Sequence, residues 1–302
     1  MDQAIGLRKM MANHNRPAAD CLQAEQQEIQ LQCATTPVRV ISVTSGKGGV
    51  GKTNVVANLA IALQQRGKKV LVLDADLGLG NIDVLLGLDP PYTMQDVLRG
   101  KRKLEEILVP GPAGITILPA TSGVVELTHL SDSERLSLLD ELDTLEECFD
   151  ALIIDTGAGI SANVMYFNMA AQEKVVIANS EPTSLTDAYA LIKVLYTRYR
   201  ETEFKVLVNG VEKEDEAEMV YRQLSTVAIR FLGGPSLDYL GWIPFDEHVP
   251  AAVCRQQPVL QLYPEAPASK SFLKLAKAVW SSGKQPQVSG NIKFFWRRLI
   301  NL

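Results

Sequence analysis

Residues 38–58 read VRVISVTSGKGGVGKTNVVAN, and this stretch constrains the fold more tightly than any other. Val38 to Val43 is an apolar, β-branched run suited to a buried strand. Gly46, Gly48, Gly49 and Gly51 follow, then Lys52 and Thr53, then residues at helical spacing. Strand, glycine loop and helix carry the pattern GxxxxGK[ST] in the order that phosphate binding requires. The glycines admit backbone N–H groups to phosphate oxygens with no Cβ between them, and the helix N-terminus adds partial positive charge. Lys52 is placed to reach the β- and γ-phosphates and the Thr53 hydroxyl to ligate Mg²⁺. Gly46, Lys47, Gly48, Gly49, Val50, Gly51, Lys52, Thr53 and Asn54 are therefore the expected nucleotide cradle. At average glycine usage of about 7%, such a pattern arises by chance in only roughly one chain in a hundred of this length.

The apolar runs that follow end in acids. Lys69 to Leu73 reads as the next parallel strand and delivers Asp74-Ala75-Asp76. Carboxylates two residues apart at a strand's C-terminal end point the same way, into the ligand crevice of an open sheet. Phe149 to Ile154 is a strand ending in Asp155-Thr156-Gly157-Ala158-Gly159. An aspartate closing an apolar strand is the Walker B arrangement for Mg²⁺, and Gly157 and Gly159 leave the loop after it free to move as a switch. The competing reading for Asp74 is a turn cap and for Asp155 a helix cap. Lys174 to Ala178 is another strand, after which Ser184 and Asp187 fit a capping box as N-cap and N3. Phe204 to Val208 ends at Asn209, and Tyr239 to Ile243 ends at Pro244-Phe245-Asp246.

Short helices are expected at Met94 to Gly100 and Leu104 to Leu108, a strand at Gly114 to Pro119, an amphipathic helix at Ser131 to Glu146 and another at Ala268 to Trp280. Strands alternating with helices, each acid at a strand end, predict an α/β fold: a doubly wound, mostly parallel sheet with helices on both faces.

Around this core, in residues 37–280, the ends differ in character. Residues 1–36 are rich in Gln and Ala and show no strand pattern, which reads as a flexible tail. Residues 281–290 have linker composition. In residues 291–302, Ile292, Phe295, Trp296, Leu299, Ile300 and Leu302 fall on one helical face and Lys293, Arg297, Arg298 and Asn301 on the other, with only Phe294 misplaced. A basic helix with bulky apolar residues on its other side is the pattern of an interfacial membrane anchor, the alternative being a helix packed on the domain. A net charge of −5 does not advertise nucleic-acid binding. Four scattered cysteines with no CxxC argue against zinc and iron–sulfur sites and fit a reducing cytosol. No apolar run approaches the roughly 20 residues that span a bilayer.

Lys47, directly after Gly46, is an addition to the ordinary loop. GKGGVGKT resembles the deviant P-loop of the MinD/ParA ATPases, and the resemblance extends over residues 38 to about 280. It implies an ATPase using ATP and Mg²⁺, dimeric when ATP-bound. Lys47 would reach into the partner's nucleotide, although a merely solvated lysine is the alternative. Asp76 would position the attacking water and Lys52 would hold the phosphates during the reaction. Thr53, Asp74 and Asp155 would surround the metal. The Asn209 amide and the backbone of the Pro244, Phe245, Asp246 segment would hold adenine. Guanine is disfavoured, since Asn209-Gly210-Val211-Glu212 lacks the lysine and aspartate of a guanine site. Gly157, Gly159 and Asp187 would border the switch and dimer interface.

Asp2, Gln3, Ala4, Leu7 and Arg8 match the DQAxxLR motif of the FlhG branch, the flagellar-number regulators. Membership there implies stimulation of an FlhF-type GTPase, contact with flagellar C-ring components and a flagellar transcription regulator, and cytoplasmic protein that is peripheral on the anionic membrane when ATP-bound. A septum-site MinD, or a nucleotide-bound scaffold or transcriptional anti-activator, are the alternative readings.

Overall fold

The computed structural model describes residues 38–76, 81–119, 141, 145 and 148–282. The N-terminal tail, the amphipathic segment at 291–302 and most of the helix expected at Ser131 to Glu146 lie outside those residues. Within them, Leu145 is helical and buried.

The first strand, β1 (Arg39–Ser45), is buried along its whole length and leads through the glycine loop into α1 (Lys52–Gln64). Next come β2 (Val70–Ala75), α2 (Ile82–Leu86) and α3 (Met94–Leu98). A 3₁₀ turn stands at Leu104–Ile107, where the spacing predicted an α-helix, and β3 (Val109–Pro110) and β4 (Thr116–Pro119) follow. The order continues with β5 (Ala151–Ala158), α4 (Ala162–Ala170), β6 (Glu173–Ala178), α5 (Pro182–Tyr199), β7 (Glu203–Val211) and α6 (Glu214–Leu232). It closes with β8 (Ser236–Pro244), α7 (His248–Val253), α8 (Val259–Leu262) and α9 (Pro267–Ser282).

The strands form one eight-stranded sheet in the order β3-β4-β2-β5-β1-β6-β7-β8. Every neighbouring pair is parallel except β3 with β4. Alternate residues feed opposite layers, as a two-residue side-chain period requires. Ile41, Ile153 and Leu207 pack beneath α1, α8 and α9, whereas Val40, Leu152 and Ile154 pack against α3 and α4. Val176, Val206 and Val208 pack against α5 and α6. Helices therefore cover both faces of a doubly wound sheet, as the sequence predicts.

Chain order moves from β1 outward through β2 in one direction, then through β6, β7 and β8 in the other, so the order reverses beside β1. In an open parallel sheet the crevice for a ligand opens above the strand ends at such a point.

The end of α9 is held at the opposite pole. Arg39, at the start of β1, donates to the carbonyls of Trp280 at 3.2 Å and Val279 at 2.9 Å, and pairs with Glu173. The Trp280 ring lies 4.8 Å from the Arg39 guanidinium and 4.7 Å from Lys68 Nζ, measured to its centroid. The helix runs to Ser282, two residues into the stretch whose composition reads as linker. Composition alone overlooks only these last two residues, which follow the end that Trp280 anchors.

Candidate functional site

The loop between β1 and α1 is shaped by close backbone packing. A Cβ on Gly46 would lie 2.1 Å from the carbonyl carbon of Asp187, so the loop rests directly on the backbone of α5. Gly51 caps α1 at φ +86°, a left-handed conformation that glycine adopts without strain. Having no side chain, it leaves the first N–H groups of α1 uncapped and directed toward any bound anion. Behind it, the Asn209 amide donates to the Val50 carbonyl at 2.7 Å. Asn209 thus braces the loop from β7.

Two carboxylates stand side by side at the crevice floor, since Asp74 of β2 is the register partner of Asp155 of β5. Asp155 is buried and forms an ion pair with Lys52, also buried. Burial pushes its carboxyl up despite the opposing pull of Lys52 and a hydrogen bond from Thr53. Its second oxygen, Oδ2, is buried with no hydrogen-bond partner. A buried, unpaired carboxylate oxygen beside a threonine hydroxyl is a donor set that fits Mg²⁺ and its waters. The glycine cradle above it fits phosphate, so the residues present suit Mg²⁺–ATP.

Asp74 is pushed up to about 7, by burial first and by the neighbouring Asp155 charge second. Its oxygens accept from the backbone N–H groups of Asp76 at 3.1 Å, Asn81 at 3.0 Å and Ile82 at 3.2 Å. Asp74 therefore caps α2 and ties down the chain after β2, which is the structural alternative read from the sequence. Asp76 is half-buried, with Oδ1 3.4 Å from where a Cβ on Gly157 would be. Its charge also raises Asp155.

Lys47 does not turn into its own loop. Its Nζ pairs with Glu181 and donates to Thr183 Oγ1 at 3.0 Å. The Lys47 hydrogen bond and charge hold the Glu181 carboxyl below its ordinary value. Nothing in sequence spacing pointed to Glu181 or Thr183. The available signal was their place directly after β6, the strand that pairs with β1.

Three expectations need correction. Asp155, Thr156, Gly157 and Ala158 continue β5 rather than forming a loop, because parallel pairing with β1 extends as far as Ala158. The loop after the strand starts at Gly159, at φ +90°, whose N–H donates to the Ser45 carbonyl at 2.9 Å. No capping box forms from Ser184 and Asp187. Pro182 starts α5 earlier, and the buried Ser184 hydroxyl instead accepts from the Asn179 N–H at 3.1 Å.

Asn209 lies inside β7 and Pro244 inside β8, since the two strands pair past the predicted ends through a bulge at Gly210. The Asp246 carboxylate is committed to helix caps: it accepts from His248 N–H at 3.0 Å and Ala268 N–H at 2.9 Å, and contacts His248 Nδ1 at 2.7 Å. This leaves open the backbone contact expected of the segment, and the Phe245 side chain is exposed beside it. The expected tail and membrane residues lie outside the described residues.

A parallel sheet with a glycine cradle, a lysine and paired strand-end acids at its reversal point defines a P-loop nucleoside-triphosphatase. The model of the CobQ/CobB/MinD/ParA nucleotide binding domain matches residues 41–259. Antiactivator FleN of Pseudomonas aeruginosa is 44% identical over 264 residues, covering 87% of this chain and 94% of its own length. Flagellum site-determining protein YlxH of Helicobacter pylori is 32% identical, with 87% and 90% covered. The septum site-determining protein MinD of Pyrococcus horikoshii, solved with Mg-ADP, superposes with a TM-score of 0.64 at 26% identity, covering 83% of this chain and all of that one. The chain belongs to the MinD/ParA family of P-loop ATPases, and its cofactors are ATP and Mg²⁺.

Proposed function

We propose that this ATPase is a switch that sets flagellar number or placement, its ATP-bound protomers pairing as homodimers on the membrane and returning to monomers on hydrolysis. The observation that carries the reading is Lys47. It stands at the lip of the loop, partly exposed and held by Glu181 and Thr183, instead of serving its own phosphate cradle. A cation so placed is available to a nucleotide bound by a second copy.

Within one protomer, Lys52 and the loop N–H groups hold the phosphates. Thr53 and Asp155 hold the metal, with Asp74 supporting the chain beside it. Mg²⁺, when bound, neutralises charge on the phosphate oxygens. Asp76 orients the attacking water, and Gly159 ties the chain after β5 to the end of β1 so that the two move together. Asn209 and the backbone from Pro244 to Asp246 hold the base.

The flagellar role rests on similarity to FleN and YlxH and on the DQAxxLR pattern at Asp2 to Arg8. On this reading the tail stimulates an FlhF-type GTPase, and the body meets C-ring components. The similarity to a protein named an antiactivator also favours a second output, capture of a flagellar transcription regulator.

The test blocks turnover with Asp76→Ala and measures mass by light scattering with ATP or ADP. Dimers should form with ATP alone, and adding Lys47→Ala should return monomers that still bind ATP. Dimers of the double variant at ordinary ATP would refute the role of Lys47. Capture of the regulator equally by ATP- and ADP-loaded protein would favour a scaffold over a switch.

A further inference from the structure

The outer face of α9 has no part in the nucleotide site, yet its chemistry is one-sided. Ala268, Phe272, Leu275, Ala276 and Val279 are buried, which turns Lys270, Leu273, Lys274 and Lys277 outward. At the α-helical period these four fall within an arc of about 100°, and the lysines extend over roughly 10 Å. There is no acidic residue between Pro267 and Ser282 in a chain whose net charge is −5. Lys270 pairs with Glu265 at 3.1 Å, but Lys274 and Lys277 have no ion-pair partner among the described residues. The exposed Arg66 lies in the turn that also supplies Lys68 to the Trp280 ring, so it adds charge at the C-terminal end of the same helix. On the other face of the sheet, α6 opens with Glu214, Asp215, Glu216 and Glu218.

We infer that this stripe is a second membrane contact, which docks the ATPase body flat against an anionic bilayer with the α9 layer facing the lipid. The inference rests on the membrane reading of residues 291–302 and deepens it. Two features select a bilayer as occupant. The stripe carries Leu273, 39% exposed, among its lysines, an apolar residue suited to an interface and unneeded for binding free anions. It also ends shortly before the amphipathic segment: residues 283–290 span at most about 29 Å when fully extended. Once that segment is in the interface, the α9 lysines are confined near the same surface at high effective concentration. Arg39 and Lys68 hold Trp280 and the end of the helix, so the stripe meets the membrane as a rigid face.

Each lysine close to an anionic leaflet contributes about fivefold in affinity. Lys274→Gln/Lys277→Gln should therefore weaken ATP-dependent binding to phosphatidylserine-containing vesicles by about 25-fold or more, with a shallower salt dependence. ATP turnover without vesicles should stay unchanged. Full-length protein is sedimented with vesicles of phosphatidylcholine alone or with added phosphatidylserine, and amine-reactive labelling is read by mass spectrometry. Lys274 and Lys277 should be protected on anionic vesicles with ATP, while exposed Lys213, at the start of α6, stays reactive.

If wild-type protein does not sediment with ATP, the membrane reading itself fails and the inference falls with it. If wild type sediments, but the double variant binds equally and both lysines stay reactive, the docking face alone is overturned. Protection of the two lysines by duplex DNA and not by vesicles would overturn it in favour of a nucleic-acid surface.

Discussion

Replacing Lys52 in a P-loop is usually regarded as a binding lesion, but here it should also destabilise the nucleotide-free protein. Lys52 and Asp155 are 8% and 1% exposed and pair with each other, and the second Asp155 oxygen has no partner. Lys52→Met keeps most of the stem and removes only the charge, leaving a carboxylate buried and uncompensated. Breaking a buried pair in this way costs about 3–5 kcal/mol, a large share of a typical total of about 5–15.

The protein can limit that cost by protonating Asp155, whose folded pKa burial has already raised and the variant raises further. For an acid with a raised folded pKa, the folded state holds the proton longer, so stability falls as pH rises from the unfolded pKa toward the folded one. The slope is about 1.4 kcal/mol per pH unit. The variant's deficit should therefore be small near pH 5 and largest at pH 8. Lys52→Met/Asp155→Asn, with both charges gone, should recover most of the loss and flatten the pH dependence. Urea unfolding, followed by tryptophan fluorescence without nucleotide or Mg²⁺ at both pH values, measures all three. An unfolding midpoint for Lys52→Met equal to wild type at pH 8 would refute the reasoning.

Gly46→Ala places a methyl group 2.1 Å from the Asp187 backbone, which cannot yield as a side-chain end does. Overpacking of this kind costs about 1–3 kcal/mol, so fluorescent-ATP binding should be lost while the circular-dichroism spectrum is retained. Asn209→Ala removes the 2.7 Å hydrogen bond to Val50 and should cost about 1 kcal/mol of stability, read by urea unfolding, as well as weakening nucleotide affinity severalfold. Asp246 is pushed up by burial, but the N–H groups of Ala268 and His248 outweigh this and hold its carboxyl below the ordinary value. Its stabilising contribution is complete above the unfolded carboxyl pKa and is lost as pH falls through the folded one. Asp246→Ala should therefore lower the melting temperature at pH 7, and the difference from wild type should shrink near pH 3.

The sequence by itself determined the elements with strong local signals. The glycine loop could be read because its backbone requirement is met by residue type, and the strand-end acids because buried parallel strands are apolar up to the crevice. Sheet order and partner choice were another matter. Local pattern could not extend β5 through Gly157 or β7 through Gly210, because only the strand beside each one supplies the hydrogen bonds that continue it. Asp74 and Asp246 look alike from sequence, each an acid closing a strand. Their carboxylates were assigned by which uncapped helix N-termini the fold brought within reach, those of α2 for one and of α7 and α9 for the other. Lys47 was visible as an extra lysine, but its partners Glu181 and Thr183 are more than a hundred residues away. A contact between groups so far apart in the chain depends on where the sheet places β6 beside β1, which is information that residue spacing does not contain.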